Sequence, residues 1–284
     1  MFAAAIDHPW QWRPHPEVWV LVASIIGIGI YVARVIGPKV VPAGQRPVTR
    51  RQKGWFWLAV VLLWAAADWP IHDIGERYLY SVHMLQHVLL SMVVPPLFLL
   101  ATPTWLARLV VADGTRVGQA IRWLAKPVVA GLIFNAVVLF LHWPALVDLA
   151  VANGPLHYSL HLVLFASALL MWTPVCGPIP ELRISLPAQM IYLFLMSVLP
   201  TIPAAWLTLA DGVVYKAYDI HYRLFGISAV TDQQLAGLFM KLGVGVYLWT
   251  LIFILFFKWA MRNEEAERKG RVVTEREILT WDEV

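Results

Sequence analysis

Seven stretches of this chain, at about residues 17–36, 54–69, 80–100, 127–143, 155–174, 186–210 and 232–260, are dominated by apolar side chains and nearly free of charge. A helix needs roughly 20 apolar residues to cross the hydrocarbon layer of a membrane. With 60% hydrophobic and 14% charged residues and a mean hydropathy of +0.65, the chain lies far from a water-soluble domain, which carries about a quarter charged residues. The expected fold is all-α: a bundle of seven transmembrane helices over residues 1–260, as one domain, followed by a charged cytoplasmic tail at 261–284. The second and fourth runs are short and end at Asp68-Trp69-Pro70 and His142-Trp143-Pro144, where proline stops a helix. The sixth contains Pro187, Pro200 and Pro203 and should be kinked or broken.

Basic residues set the direction of insertion. Seventeen Lys and Arg fall in the one–two, three–four and five–six connections and the tail, against four (Arg13, Arg77, Lys216 and Arg223) on the other side. By the positive-inside rule the amino terminus is outside and the carboxyl terminus cytoplasmic. Residues 1–16 lack a basic leader region, so the first span is read as the anchor itself. The net charge of +4 is thus topological and suggests no nucleic acid. The tail mixes Glu264, Glu265 and Glu267 with Arg268, Lys269 and Arg271, the pattern of a solvated helix. A single cysteine, Cys176, excludes an internal disulfide and any multi-cysteine metal cage.

Once direction is assigned, all nine histidines fall on the outer side. His8 and His15 precede the first span, His72 and His221 are in outer loops, and His142 closes the fourth span. The other four form two HxxxH pairs, His83/His87 opening the third span and His157/His161 opening the fifth. Residues four apart share a helical face, so both imidazoles of a pair can reach one metal ion. Imidazoles are costly against lipid and should face the bundle interior or a water-filled pocket.

These pairs belong to an internal repeat. Trp69-Pro70 and Trp143-Pro144 are 74 positions apart, as are His83 and His157, His87 and His161, and Asp68 and His142. Hairpins at about 54–100 and 127–174 therefore read as two copies, with binding residues at the interface between them. His83, His87, His157, His161 and His142 are the candidate metal ligands. Asp68, Asp232, Gln86, Met84 and Met240 are candidates for further ligands or for groups that orient the imidazoles. For Asp232, which opens the last span, the alternative is an N-terminal cap. Lys241, inside that span, must snorkel or pair.

Imidazole suits zinc, copper and iron, and thioether favours Cu(I). Three functions fit such a site: a copper-handling protein that assembles another metalloenzyme, an intramembrane zinc hydrolase with Asp68 or Asp232 activating water, or a bis-histidine b-type haem protein. The haem reading fits least, because all the histidines share one level rather than two depths.

The run His83-Met-Leu-Gln-His87 with Pro95-Pro96, His142-Trp-Pro144, and His157-xxx-His161 with Trp172-Thr-Pro174 resembles the CtaG family of caa3-type cytochrome c oxidase assembly factors. So do Gly177-Pro178, Tyr215-xx-Tyr218 and Asp232-Gln-Gln-x-Ala-Gly237, and the likeness runs from about Asp68 to Lys258. The resemblance implies a multi-pass protein of the bacterial plasma membrane that works with oxidase subunits or other assembly factors at copper insertion. The expectation is an outward-facing copper site, zinc being the alternative, and no catalysis.

Overall fold

The computed structural model describes residues 8–112 and 114–268, which form helices and connecting loops with no strand among them. The helices are α1 (Pro16–Val40), α2 (Arg50–Ala67), α3 (Ile71–Arg77), α4 (Tyr80–Ala101), α5 (Thr104–Val110), α6 (Arg116–Leu124), α7 (Pro127–Leu141), α8 (Pro144–Val151), α9 (Gly154–Cys176), α10 (Leu186–Thr208) and α11 (Ala229–Arg268). Six stretches, α1, α2 running into α3, α4, α9, α10 and α11, are long and apolar enough to cross a membrane. A seventh is formed if α6 and α7, bent by 75° where they meet, count as one span. The protein is therefore a multi-pass membrane protein.

Local chemistry moves three boundaries away from the hydropathy runs. Helix α2 begins at Arg50, before the apolar run, because Thr49 and Gln52 form a reciprocal capping box. Helix α10 consists of Leu186–Val198 and Thr201–Thr208, which meet at Leu199-Pro200, the interruption its prolines call for. Helix α11 continues past the expected start of the tail to Arg268, where Arg268 pairs with Glu264 at 2.6 Å. Residues 269–284, the rest of that tail, lie outside the described residues. Lys241 is resolved by Thr201, whose hydroxyl accepts from its ammonium at 2.6 Å.

Helices α4 and α9 pack side by side at the centre, with α2 against α4, α7 against α9 and α10 against α11. Gly237 permits the last contact; a Cβ there would come within 2.6 Å of the Ala204 carbonyl on α10. Phe134, Met171, Trp172, Leu193 and Leu248 form the principal core. Proline chemistry locks α4 to its neighbours. Pro95 and Pro96 lack the N–H groups that Ser91 O and Met92 O would otherwise receive, and the helix widens into a π turn at Leu89–Val93. Trp172 Nε1 on α9 donates to Ser91 O at 3.0 Å, and Tyr247 Oη on α11 donates to Met92 O at 2.9 Å. Neighbouring helices thus satisfy the carbonyls that proline leaves open, as a membrane interior requires.

The repeat is carried by two chain segments of like order. Each has a span (α2 or α7), a Trp-Pro corner, a short helix (α3 or α8) and then a helix bearing HxxxH (α4 or α9). The last pair begins at Tyr80 and Gly154, the same 74-residue offset as the histidines. The short helices were not expected from the hydropathy runs; a proline at or just before the first turn is preorganised to start them.

Candidate metal centre

One turn into α4 and α9, the two HxxxH pairs face each other. The rings of His83 and His87 are 4.3 Å apart, as are those of His157 and His161. Across the helices, His83 and His157 lie 5.2 Å apart and His87 and His161 4.9 Å. His87 Nε2 and His161 Nε2 approach to 3.0 Å, a hydrogen bond in which one nitrogen carries the proton. His83, His157 and His161 each offer a nitrogen within 4.8 Å of the other two, close enough to hold one ion. His83 Nδ1 and His157 Nε2 are buried and have no hydrogen-bond partner. Buried polar atoms are normally paired, so two orphaned imidazole nitrogens facing a shared space fit a metal. Leu146, Val147 and Val151 complete an otherwise apolar cavity around them.

The pairs are held from above. Asp232 accepts from the backbone N–H groups of Tyr80 at 2.6 Å and Ser81 at 3.1 Å, and from the Ser81 hydroxyl. It therefore caps a helix, though not its own: Ser228 caps α11, while Asp232 satisfies the first N–H groups of α4. Through these bonds Asp232 fixes the start of the helix carrying His83 and His87, the orienting role that is the alternative to ligation. Tyr80 packs against Tyr215, tilted, and Tyr218, edge-on, from the α10–α11 loop, with ring centres 4.6 and 5.0 Å away. Tyr215 Oη donates to His142 O and Tyr218 Oη to Gly75 O, each at 3.0 Å, while Gln233 binds the backbone of Val214 and Tyr215. Gly75 is where α3 comes closest: a Cβ there would stand 3.0 Å from His83 N and Cα.

Other candidates separate from the four imidazoles. Asp68 accepts from Trp19 Nε1 at 2.8 Å, Trp64 Nε1 at 2.6 Å and the Trp69 N–H at 2.8 Å. It anchors indoles, and both Asp68 and Asp232 are engaged by protein N–H and hydroxyl groups rather than turned toward the imidazole cluster. Gln86 reaches back through Nε2 to His72 Nδ1 at 3.1 Å and so supports another ring, while its Oε1 is buried without a hydrogen-bond partner. His142 stands 6.4 Å from His87 and outside the close group; its Nδ1 lies 2.6 Å from Val138 O and its Nε2 3.4 Å from Met84 Sδ. Met240 borders the same cavity as Met84 and His142.

His72 and His15, placed by sequence in an outer loop and the N-terminal segment, are part of the surroundings. His72 is buried with its ring 6.0 Å from that of His157, and its Nε2 lies 3.3 Å from Glu76 Oε2. His15 packs on His72 at 5.1 Å and bonds Asp73 at 2.7 Å and Glu17 at 3.1 Å. Burial alone would lower the His15 imidazole, but hydrogen bonds and attraction to Asp73 and Glu17 raise it above its ordinary value of 6.5. The four-residue spacing of His72 and Glu76 was a signal for this shell. His8 and His221 are exposed and take no part.

The family model for the cytochrome c oxidase caa3 assembly factor matches residues 29–262. No curated protein and no solved structure matches the chain. With most of its length covered by that match, the chain belongs to the caa3 oxidase assembly factor family.

Proposed function

We propose that the protein supports oxidase assembly by holding copper between α4 and α9, through His83, His87, His157 and His161, for delivery or insertion. The observation that carries this reading is the convergence of three imidazole nitrogens within 4.8 Å, two of the cluster's nitrogens being buried without a partner. An all-imidazole set suits copper, zinc or iron; membership of an oxidase assembly family favours copper among them. Two pairs from two helices preorganise the site, because each HxxxH holds its rings on one face, Asp232 fixes the start of α4 and Asn153 caps α9. In this reading the histidine end of the bundle faces outward from a bacterial plasma membrane, with the carboxyl terminus in the cytoplasm. The partners are oxidase subunits or other assembly factors.

Neither alternative gains support. The hydrolase reading asks for a carboxylate that activates water at the cluster, and Asp68 and Asp232 bind protein N–H and hydroxyl groups elsewhere. The haem reading needs a slot for a macrocycle, and imidazoles in direct contact across α4 and α9 leave none.

The test is metal content of protein purified with its affinity tag removed. The double substitution of His83 and His157 by Ala should abolish copper binding at the imidazole cluster while the helical fold persists. Retention of every copper equivalent by that variant overturns the ligand assignment.

A further inference from the structure

Met84 and His142 meet across the boundary between the two hairpins. Val138 O can only accept a hydrogen bond, so the contact at 2.6 Å puts the His142 proton on Nδ1. Nε2 then presents its lone pair, and what it meets at 3.4 Å is the Met84 thioether, which has lone pairs and no proton. Two electron-pair donors are thus aimed at one another inside the protein, with both residues buried. An electrophile shared between them would turn this opposition into attraction.

The spacing suits a metal ion. With metal–nitrogen and metal–sulfur bonds of about 2.0 and 2.3 Å, donors 3.4 Å apart subtend about 104° at the ion, near the tetrahedral angle. Met92 and Met240 line the same cavity, so further thioethers are at hand, and no carboxylate lines it. Neutral imidazole and thioether donors favour a soft, singly charged ion over Zn(II) or Cu(II). His87 borders both this cavity and the one around His83, His157 and His161.

We propose that Met84 and His142, with Met240, form a second site, specific for Cu(I), that shares His87 as a wall with the imidazole cluster. This deepens the proposed function and rests on its view of the protein as a copper carrier, but it assigns separate ligands and a separate ion. Binding is by coordination alone: the copper stays Cu(I), and no electron or proton is transferred.

The experiment is anaerobic Cu(I) titration of the full-length protein against a chromophoric chelator, followed by X-ray absorption at the copper edge. The wild type should take up two equivalents and show both nitrogen and sulfur neighbours. Met84→Leu with Met240→Leu should lose one equivalent and the sulfur shell while keeping the melting temperature within a few degrees. The His83→Ala, His157→Ala variant should keep the sulfur-bound equivalent. If the leucine variant binds as much Cu(I) as wild type, or wild-type copper shows no sulfur neighbour, the second site does not exist. If the alanine variant loses nothing while the leucine variant loses its equivalent, the imidazole site falls and the thioether site stands. Loss of all copper in the leucine variant at an unchanged melting temperature also overturns the proposal, since the sites would then be one.

Discussion

The two hairpins, α2–α3–α4 and α7–α8–α9, share helix order, a Trp-Pro corner and an HxxxH pair, yet their corner residues face opposite ways. Asp68 turns toward the rim and gathers two indoles and a backbone N–H. His142, at the equivalent place, turns inward to Met84 on the other copy. The difference separates what duplication supplies from what single substitutions add. The repeated backbone delivers four imidazoles to one space, and the corner decides whether a copy is fastened to α1 or contributes a donor to the interior.

Exchanging the corners is the strongest way to break this comparison. His142→Asp places a carboxylate beside a thioether and an apolar wall and should cost about 3–5 kcal/mol as an uncompensated buried charge. The reverse change, Asp68→His, removes the acceptor of two indoles and should cost less, about 1–3 kcal/mol. Thermal unfolding ranks the two, and equal losses would deny the corners their separate roles. Next in size is Trp172→Phe, which leaves Ser91 O unsatisfied inside the bundle at a cost of about 1–3 kcal/mol, measured the same way. The proline pair that exposes that carbonyl belongs to the first copy only, so this change tests how far each hairpin depends on its twin.

A finer comparison uses Gly75 and its repeat counterpart Leu149, which is 54% exposed. Gly75→Ala should push α3 away from His83 and weaken copper binding about tenfold, the scale of a disturbed supporting group. Leu149→Ala should leave affinity unchanged, and a competitive titration reads both. The smallest effect concerns His15, which ties the N-terminal segment to the first copy alone. Because its folded value is raised, its contribution is complete below the ordinary 6.5 and is lost as pH rises through the raised one. Hydrogen exchange in residues 15–22, corrected for intrinsic rate, should therefore quicken at high pH, and His15→Ala should remove the dependence.

Much of this organisation is legible in the sequence because it rests on short-range rules. Apolar length marks the spans, four-residue spacing puts histidines on one face, and a constant offset exposes the duplication. What escapes notice depends on contacts between distant segments. Asp232 opens a helix and so reads as its cap, but Ser228 already fills that place, and the carboxylate crosses to Tyr80 and Ser81. His72 looks like a loop residue until the short helix α3 folds it down over His157. His142 is held by Val138 O one turn back, but Met84, which its other nitrogen meets, is a neighbour that no local pattern names.

The bond from Asp232 to the start of α4 also has a consequence for biosynthesis. Domains form from the amino end as the ribosome advances, yet the turn bearing His83 is not secured until the last membrane helix has been made. A nascent chain that has inserted both hairpins still lacks that fastening, so the imidazole cluster reaches its final arrangement only when translation is nearly finished.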